Sequence, residues 1–180
     1  MRRTSDFAPA VNAGGCACVR VVPAWQPAEW QAARGLAREL VTWLAETLCV
    51  DVNEAQESAA EEFAAMPEFY AFPKGLFLVG YLHGQPAGTA GIHLMDDDTA
   101  ELKRVWVTPS ARGHGIAPRM LETAISAART LGARQLWLET EPTVMATAHR
   151  MYLAHGFREI PHFTDLGDTI PGLVALGRRI

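Results

Sequence analysis

Apolar residues recur along this chain at two spacings, every third or fourth position in some stretches and every second position or continuously in others. From Pro27 onward, Trp30, Ala33, Leu36, Ala37, Leu40, Val41, Leu44 and Leu48 fall on one stripe, predicting a helix that Pro27 opens. Ala59, Phe63 and Met66 supply the apolar face of a second helix over about residues 53–66, with its glutamates on a solvated face. Ahead of both, residues 17–22 predict a first strand stopped by Pro23. Leu76 to Leu82 is a strong strand, His83-Gly84-Gln85-Pro86 is turn chemistry, and residues 87–95 return as its partner. Asp96-Asp97-Asp98 reads as the next turn, and Glu101 to Val107 as a further strand rich in β-branched and aromatic residues. Met120, Leu121, Ala124, Ile125, Ala128 and Leu131 then return to helical spacing, with Pro118 in the first turn and Gly132 at the C-cap. Residues 135–140 predict a strand, and residues 145–155 a helix with Ala148, Met151 and Tyr152 facing inward. Gly156 ends that helix, Phe157 starts another strand, and Leu173 to Leu176 closes the sheet.

The predicted order, β-α-α-β-β-β-α-β-α-β-β, combines hairpins with a crossover and therefore implies an α/β chain with a mixed sheet and helices on both faces. Residues 1–15 lack periodicity and read as a flexible N-terminal extension. Residues 16–180 show no internal repeat or linker and are expected to form a single domain. Alternation along the central strand puts Glu101, Lys103, Val105 and Val107 on one face and Leu102, Arg104 and Trp106 on the other.

Composition narrows the function classes. The 180 residues are 49% hydrophobic and 20% charged, with a formal net charge of -4, which gives no electrostatic reason to expect a nucleic-acid partner. No run approaches a membrane span, and Arg2 and Arg3 are not followed by the apolar core of a secretory signal. Cys16, Cys18 and Cys49 cannot build a disulfide framework and lack zinc-knuckle spacing, so they read as reduced thiols of a cytoplasmic protein. No metal site is expected. A homodimer is compatible with the sequence.

The candidate chemistry centres on residues 105–117. A strand ends there, a loop with two glycines follows, and a helix begins. The first amides of a helix lack carbonyl partners and carry the positive end of the macrodipole. Gly113 and Gly115 let an anion approach the backbone, and Arg112 adds a full positive charge beside them. That combination is a phosphate cradle.

Arg112-x-x-Gly115-x-Ala117 resembles the pyrophosphate-loop motif of the GCN5-related N-acetyltransferase (GNAT) superfamily. Ala148-x-x-Met151-Tyr152-x-x-x-Gly156-Phe157 resembles the later motif of the same superfamily, and the elements between the two motifs are also in its order. The resemblance covers about residues 76–163. It implies that Arg112, Gly113, His114, Gly115, Ile116 and Ala117 hold the pyrophosphate of acetyl-coenzyme A. Main-chain groups of Val105, Trp106 and Val107 would pair with the pantetheine arm, where this strand splays from residues 135–140.

The resemblance also places Tyr152 as the acid that protonates the departing sulfur, and an unperturbed phenol, with a pKa of about 10, is protonated at neutral pH. Glu101 is the candidate base, and reads equally as a salt-bridged strand-end carboxylate. Lys103 and Arg104 read either as substrate-side charges for a carboxylate or as ordinary ion pairs. His93, His114, His149 and His155 are candidate proton relays for which the sequence supplies no partner. The phrase Glu101-Leu102-Lys103-Arg104, with Tyr70-x-x-Pro73-x-Gly75 upstream, is similar to a subgroup of small bacterial-type acetyltransferases.

Two positions depart from the family pattern. Met145 stands where an asparagine often contacts the coenzyme, and Pro118 removes one amide from the first helical turn. The activity implied is acetyl transfer from acetyl-coenzyme A to a primary amine of a small molecule or amino acid, directly within a ternary complex. The alternatives are a protein N-terminal or lysine acetyltransferase, or a catalytically silent acyl-coenzyme A sensor. A dinucleotide-binding reading, with Glu139 on a ribose, fits less well because Pro118 takes the third glycine position and a hairpin precedes the strand.

Overall fold

The computed structural model describes residues 18–49, 51–164 and 170–180. The extension expected over residues 1–15, together with Cys16 and Ala17, lies outside the described residues. The elements run β1 (Val19–Pro23), α1 (Pro27–Leu48), α2 (Val52–Phe69), β2 (Gly75–Leu82), β3 (Gln85–Leu94), β4 (Thr99–Val107), α3 (Ile116–Leu131), β5 (Gln135–Thr140), α4 (Ala146–Ala154), β6 (Arg158–Ile160) and β7 (Val174–Arg179). This is the predicted order, in a seven-stranded mixed sheet arranged β1-β2-β3-β4-β5-β7-β6. The last strand therefore inserts between β5 and β6. No described helix is long and apolar enough to cross a membrane.

Helices α1 and α2 begin where a nearby carboxylate accepts from main-chain amides. The Glu29 carboxylate accepts from the amides of Trp25 (2.7 Å) and Gln26 (2.9 Å) just ahead of Pro27. Asp51 caps α2 by accepting from the amide of Glu54 at 2.9 Å. Along α1 the stripe buries Ala33, Leu36, Ala37, Leu40 and Val41, whereas Leu48, expected on the same stripe, is 48% exposed in the last turn. Helix α2 buries Ala59, Phe63 and Met66 as predicted, and continues through Pro67 to Phe69.

Two apolar layers sandwich the sheet. One packs α3 (Ile116, Met120, Leu121, Ala124 and Ala128) against Leu76, Leu78, Leu102, Leu136 and Leu138. The other packs α1 and α2 against Phe77, Val79 and Trp106 on the opposite face.

Strict alternation along β4 does not hold. Thr89 pairs with Trp106 while Gly91 pairs with Lys103, so two residues of β4 oppose Ala90 alone, and Arg104 takes φ 55°. This β-bulge reverses parity at Arg104. Glu101 meets His93, whose ring lies against Phe69 of α2, and Arg104 pairs with Glu62 of α2. Trp106 stacks on Trp43 of α1. Leu102, Val105 and Val107 pack instead with the α3 layer. The expected grouping of Glu101 and Lys103 with Val105 and Val107 is thereby overturned.

Candidate active site

Strands β4 and β5 run parallel and are paired at Thr99–Gln135, Ala100–Leu136 and Glu101–Trp137, after which the ladder stops. Beyond Glu101, β4 continues to Val107 and β5 to Thr140, each carrying an edge that faces the gap. An unpaired strand edge presents main-chain donors and acceptors to an extended ligand.

The gap opens into a cleft of about 570 Å³. Val105, Trp106 and Val107 form one wall, Arg112, Gly113, Gly115, Ile116 and Ala117 the loop end, and Met145, Ala148 and Met151 the α4 side. Leu40 and Trp43 of α1 complete it. Trp43 was not legible as a site residue. It is a tryptophan one step off the apolar stripe, between Thr42 and Leu44 on a helix flank that also carries Glu39 and Glu46, and that misplacement was its only signal.

The loop end carries the unpaired donors that an anion would need. After a 3-10 turn at Pro109–Ala111, Gly113 and Gly115 take φ 83° and 77°, conformations that favour glycine. Gly115 caps the 16-residue α3 without any side-chain bond. The Arg112 amide is bonded to the Pro109 carbonyl at 3.4 Å, so it leaves the expected set of free donors. The amides of Gly113, His114, Gly115, Ile116 and Ala117 make no hydrogen bond to another described residue. A Cβ at Gly113 or Gly115 would meet nothing within 4 Å, so the loop is open at both glycines. Five free amides at a helix N-terminus fit a diphosphate.

Side chains around this loop are arranged less uniformly than the motif suggests. The Arg112 guanidinium lies over Trp106 (5.0 Å) and Trp43 (5.7 Å), and its Nε donates to the Val107 carbonyl at 3.3 Å. It is thus held on the cleft wall. The exposed His114 turns its Nδ1 back toward the carbonyls of Arg112 (3.1 Å) and Ala111 (3.3 Å), so only its amide belongs to the cradle. Pro118 and Met145 both line the cleft, and Met145 Sδ lies 3.8 Å from Thr140 Oγ1.

Tyr152 is 4% exposed and meets Phe157 edge-on at 5.8 Å. It sits one residue beyond the wall residue Met151 but is not itself in the wall. Burial pushes its phenol well above the ordinary value, so it stays protonated.

Glu101 is 6% exposed. Its Oε2 is 2.7 Å from His93 Nε2 and its Oε1 3.5 Å from Lys103 Nζ. Of the four histidines singled out in the sequence, only His93 meets a carboxylate among the described residues. His155 Nδ1 bonds the Met151 carbonyl at 2.8 Å, and His149 Nε2 is buried with no partner among the described residues.

Arg104 is engaged by Glu62 through both Nε (2.8 Å) and Nη2, which takes it out of the free substrate-side charges. Burial works against its charge, and the Glu62 contact outweighs that, raising its pKa. Glu139 accepts from Thr164 Oγ1 at 2.5 Å and lies 3.3 Å from His162 Nδ1. A ribose role for Glu139 has no support in this sheet, whose order is not doubly wound.

Comparison with known proteins bears directly on this site. The model of the acetyltransferase (GNAT) family matches residues 48–157, the span that holds both splayed strands, the loop and α4. The chain belongs to the GNAT acetyltransferase family. Among relatives of this GNAT protein, N-acetylaspartate synthetase of Danio rerio is 33% identical over 114 residues, 62% of this chain and 39% of that protein. Amino-acid acetyltransferase of Mycobacterium tuberculosis is 29% identical over 44% of this chain and 42% of that protein. The matches thus span only about two fifths of each relative's length. The PaiA N-acetyltransferase of Thermoplasma acidophilum, solved in complex with coenzyme A, shares the fold at TM-score 0.68 and 15% identity, over 90% of this chain and 99% of that one.

Proposed function

We propose that the protein is an N-acetyltransferase that moves the acetyl group of acetyl-coenzyme A to a primary amine, directly and within one ternary complex. The observation that carries this reading is the set of five free amides at the head of α3, placed at the end of the β4–β5 gap. Acetyl-coenzyme A supplies an activated thioester. The amides of Gly113 to Ala117 hold its diphosphate, with Arg112 contributing charge, and the edges of Val105, Trp106 and Val107 align the arm. A strand amide near Val105 donates to the carbonyl oxygen as negative charge develops there. Tyr152, kept protonated by burial, donates a proton to the sulfur. Glu101 takes a proton from the amine.

The acceptor we favour is an amino acid or similar small amine. Lys103 is half-buried beside Glu101, which pairs a cation for a carboxylate with an anion for an ammonium. The names of the two relatives, N-acetylaspartate synthetase and amino-acid acetyltransferase, point the same way. The test is a free-thiol assay with acetyl-coenzyme A over a panel of amines, amino acids and lysine-bearing peptides. Coenzyme A release that depends on an added amino acid or small amine supports the reading. No release with any amine leaves a sensor in its place.

A further inference from the structure

The proposed transfer must dispose of one proton, and the following rests on that reading. An ammonium acceptor and a thioester become an amide, a thiol and a free proton: the C–N bond forms, the C–S bond breaks, and one of the two protons lost from nitrogen ends on sulfur. The other must reach water. Glu101, buried at the last paired position before the splay, has little solvent of its own.

His93 stands directly across the β3–β4 ladder from Glu101. Its Nε2 lies 2.7 Å from Glu101 Oε2, and its Nδ1 is 3.4 Å from the Leu94 carbonyl, too long for a strong bond. The ring is fixed by Phe69 (centroids 4.5 Å apart) and Tyr70 (6.3 Å). The charged and titratable groups around the pair are Lys103 on β4, Tyr70 just after α2, and the Arg104–Glu62 ion pair beyond Tyr70. None of these bonds His93. Its side chain is 15% exposed against 8% for Glu101, so the imidazole lies nearer to water than the carboxylate does.

We propose that His93 and Glu101 form a proton-transfer pair, in which Glu101 takes the proton from the acceptor nitrogen and hands it to His93 Nε2, while His93 Nδ1 releases a proton to solvent. His93 is a positioning residue, acting through Glu101.

Two measurements test the pair. In kinetics, His93→Gln keeps a donor for Glu101 and cannot relay a proton. The expected result is kcat/KM for the acceptor lower by about 10²-fold, a pH profile that loses one ionisation, and a KM for acetyl-coenzyme A within about twofold of wild type. The double variant with Glu101→Gln is expected to be no slower than Glu101→Gln alone, as for residues acting as a unit. Should His93→Gln not fold, His93→Asn carries the same test. In the absence of coenzyme, ¹⁵N NMR of the imidazoles reads the contact directly, and Glu101→Gln is expected to move the His93 resonances. Wild-type turnover with an unchanged His93→Gln profile, or His93 resonances indifferent to Glu101→Gln, overturns the pair alone. A wild-type protein that acetylates no amine overturns acetyl transfer and the pair together.

Discussion

The ring of Tyr70 lies so close to the backbone of Gly91 that a Cβ on Gly91 would come within 2.6 Å of its Cε1. Gly91 thus admits the Tyr70 ring, which packs against Phe69, Phe77 and His93. Gly91→Ala must push the ring outward, at a cost of about 1–3 kcal/mol for overpacking. The melting temperature is expected to fall by about 3–10 °C, with a loss of turnover because His93 moves with the ring. Calorimetry and the thiol assay check both.

Tyr70 is 2% exposed, and its hydroxyl has no partner among the described residues. Burial, reinforced by Glu62, pushes its phenol above the ordinary range. Tyr70→Phe keeps the ring and removes an unsatisfied polar atom, so the melting temperature is expected to rise by about 2–4 °C. A fall would mean that the hydroxyl makes a bond to an ordered water.

The Glu62–Arg104 pair ties α2 to the bulge of β4. Glu62→Ala leaves a largely buried guanidinium unpaired. Because Glu62 itself is partly solvated, we expect about 1–2 kcal/mol of destabilisation rather than the larger cost of a fully buried pair. Chemical denaturation measures it. Arg104→Met in the same background is expected to recover most of the loss.

Tyr152→Phe is expected to lower kcat by about 10²-fold with KM for acetyl-coenzyme A within about twofold, since only the proton donor is removed. The raised phenol fixes the sign of the pH dependence. Tyr152 remains a donor through and above the ordinary phenol value of about 10, so an alkaline loss of wild-type rate below that pH belongs to another group. A Tyr152→Phe profile that merely loses such a limb would contradict the assignment.

Element order and most boundaries were legible because they are local. Residues 135–140 alternate and residues 120–131 keep helical spacing, and both become the expected elements. The free amides of the loop were legible for the same reason, since two glycines after a strand and before a helical pattern leave little else for the backbone to do. Long-range relations were not. Nothing near residues 174–179 specifies that β7 enters between β5 and β6, because sheet order depends on distant partners. The bulge at Arg104 carries positive φ on a residue with no local signal for it, and so the facing of Val105 and Val107 was misread. His93 and Glu101 are eight residues apart in the chain, and only the β3–β4 register brings them together. Likewise Tyr70 and Arg104, noted in separate motifs, become neighbours only when α2 packs on the bulge.

The head of α3 is the element on which the account rests, and calorimetric titration of coenzyme A into wild type and Gly113→Asp tests it most directly. Gly113 has open space around it and aspartate tolerates its φ better than most residues, so the substitution adds a negative charge to the cradle with little change in fold. We predict one-to-one binding by wild type and affinity at least about tenfold weaker in the variant, the loss expected when a like charge faces a diphosphate, with a melting temperature within about 2 °C of wild type. Equal affinity of the two proteins, or no heat of binding from either, would contradict the account.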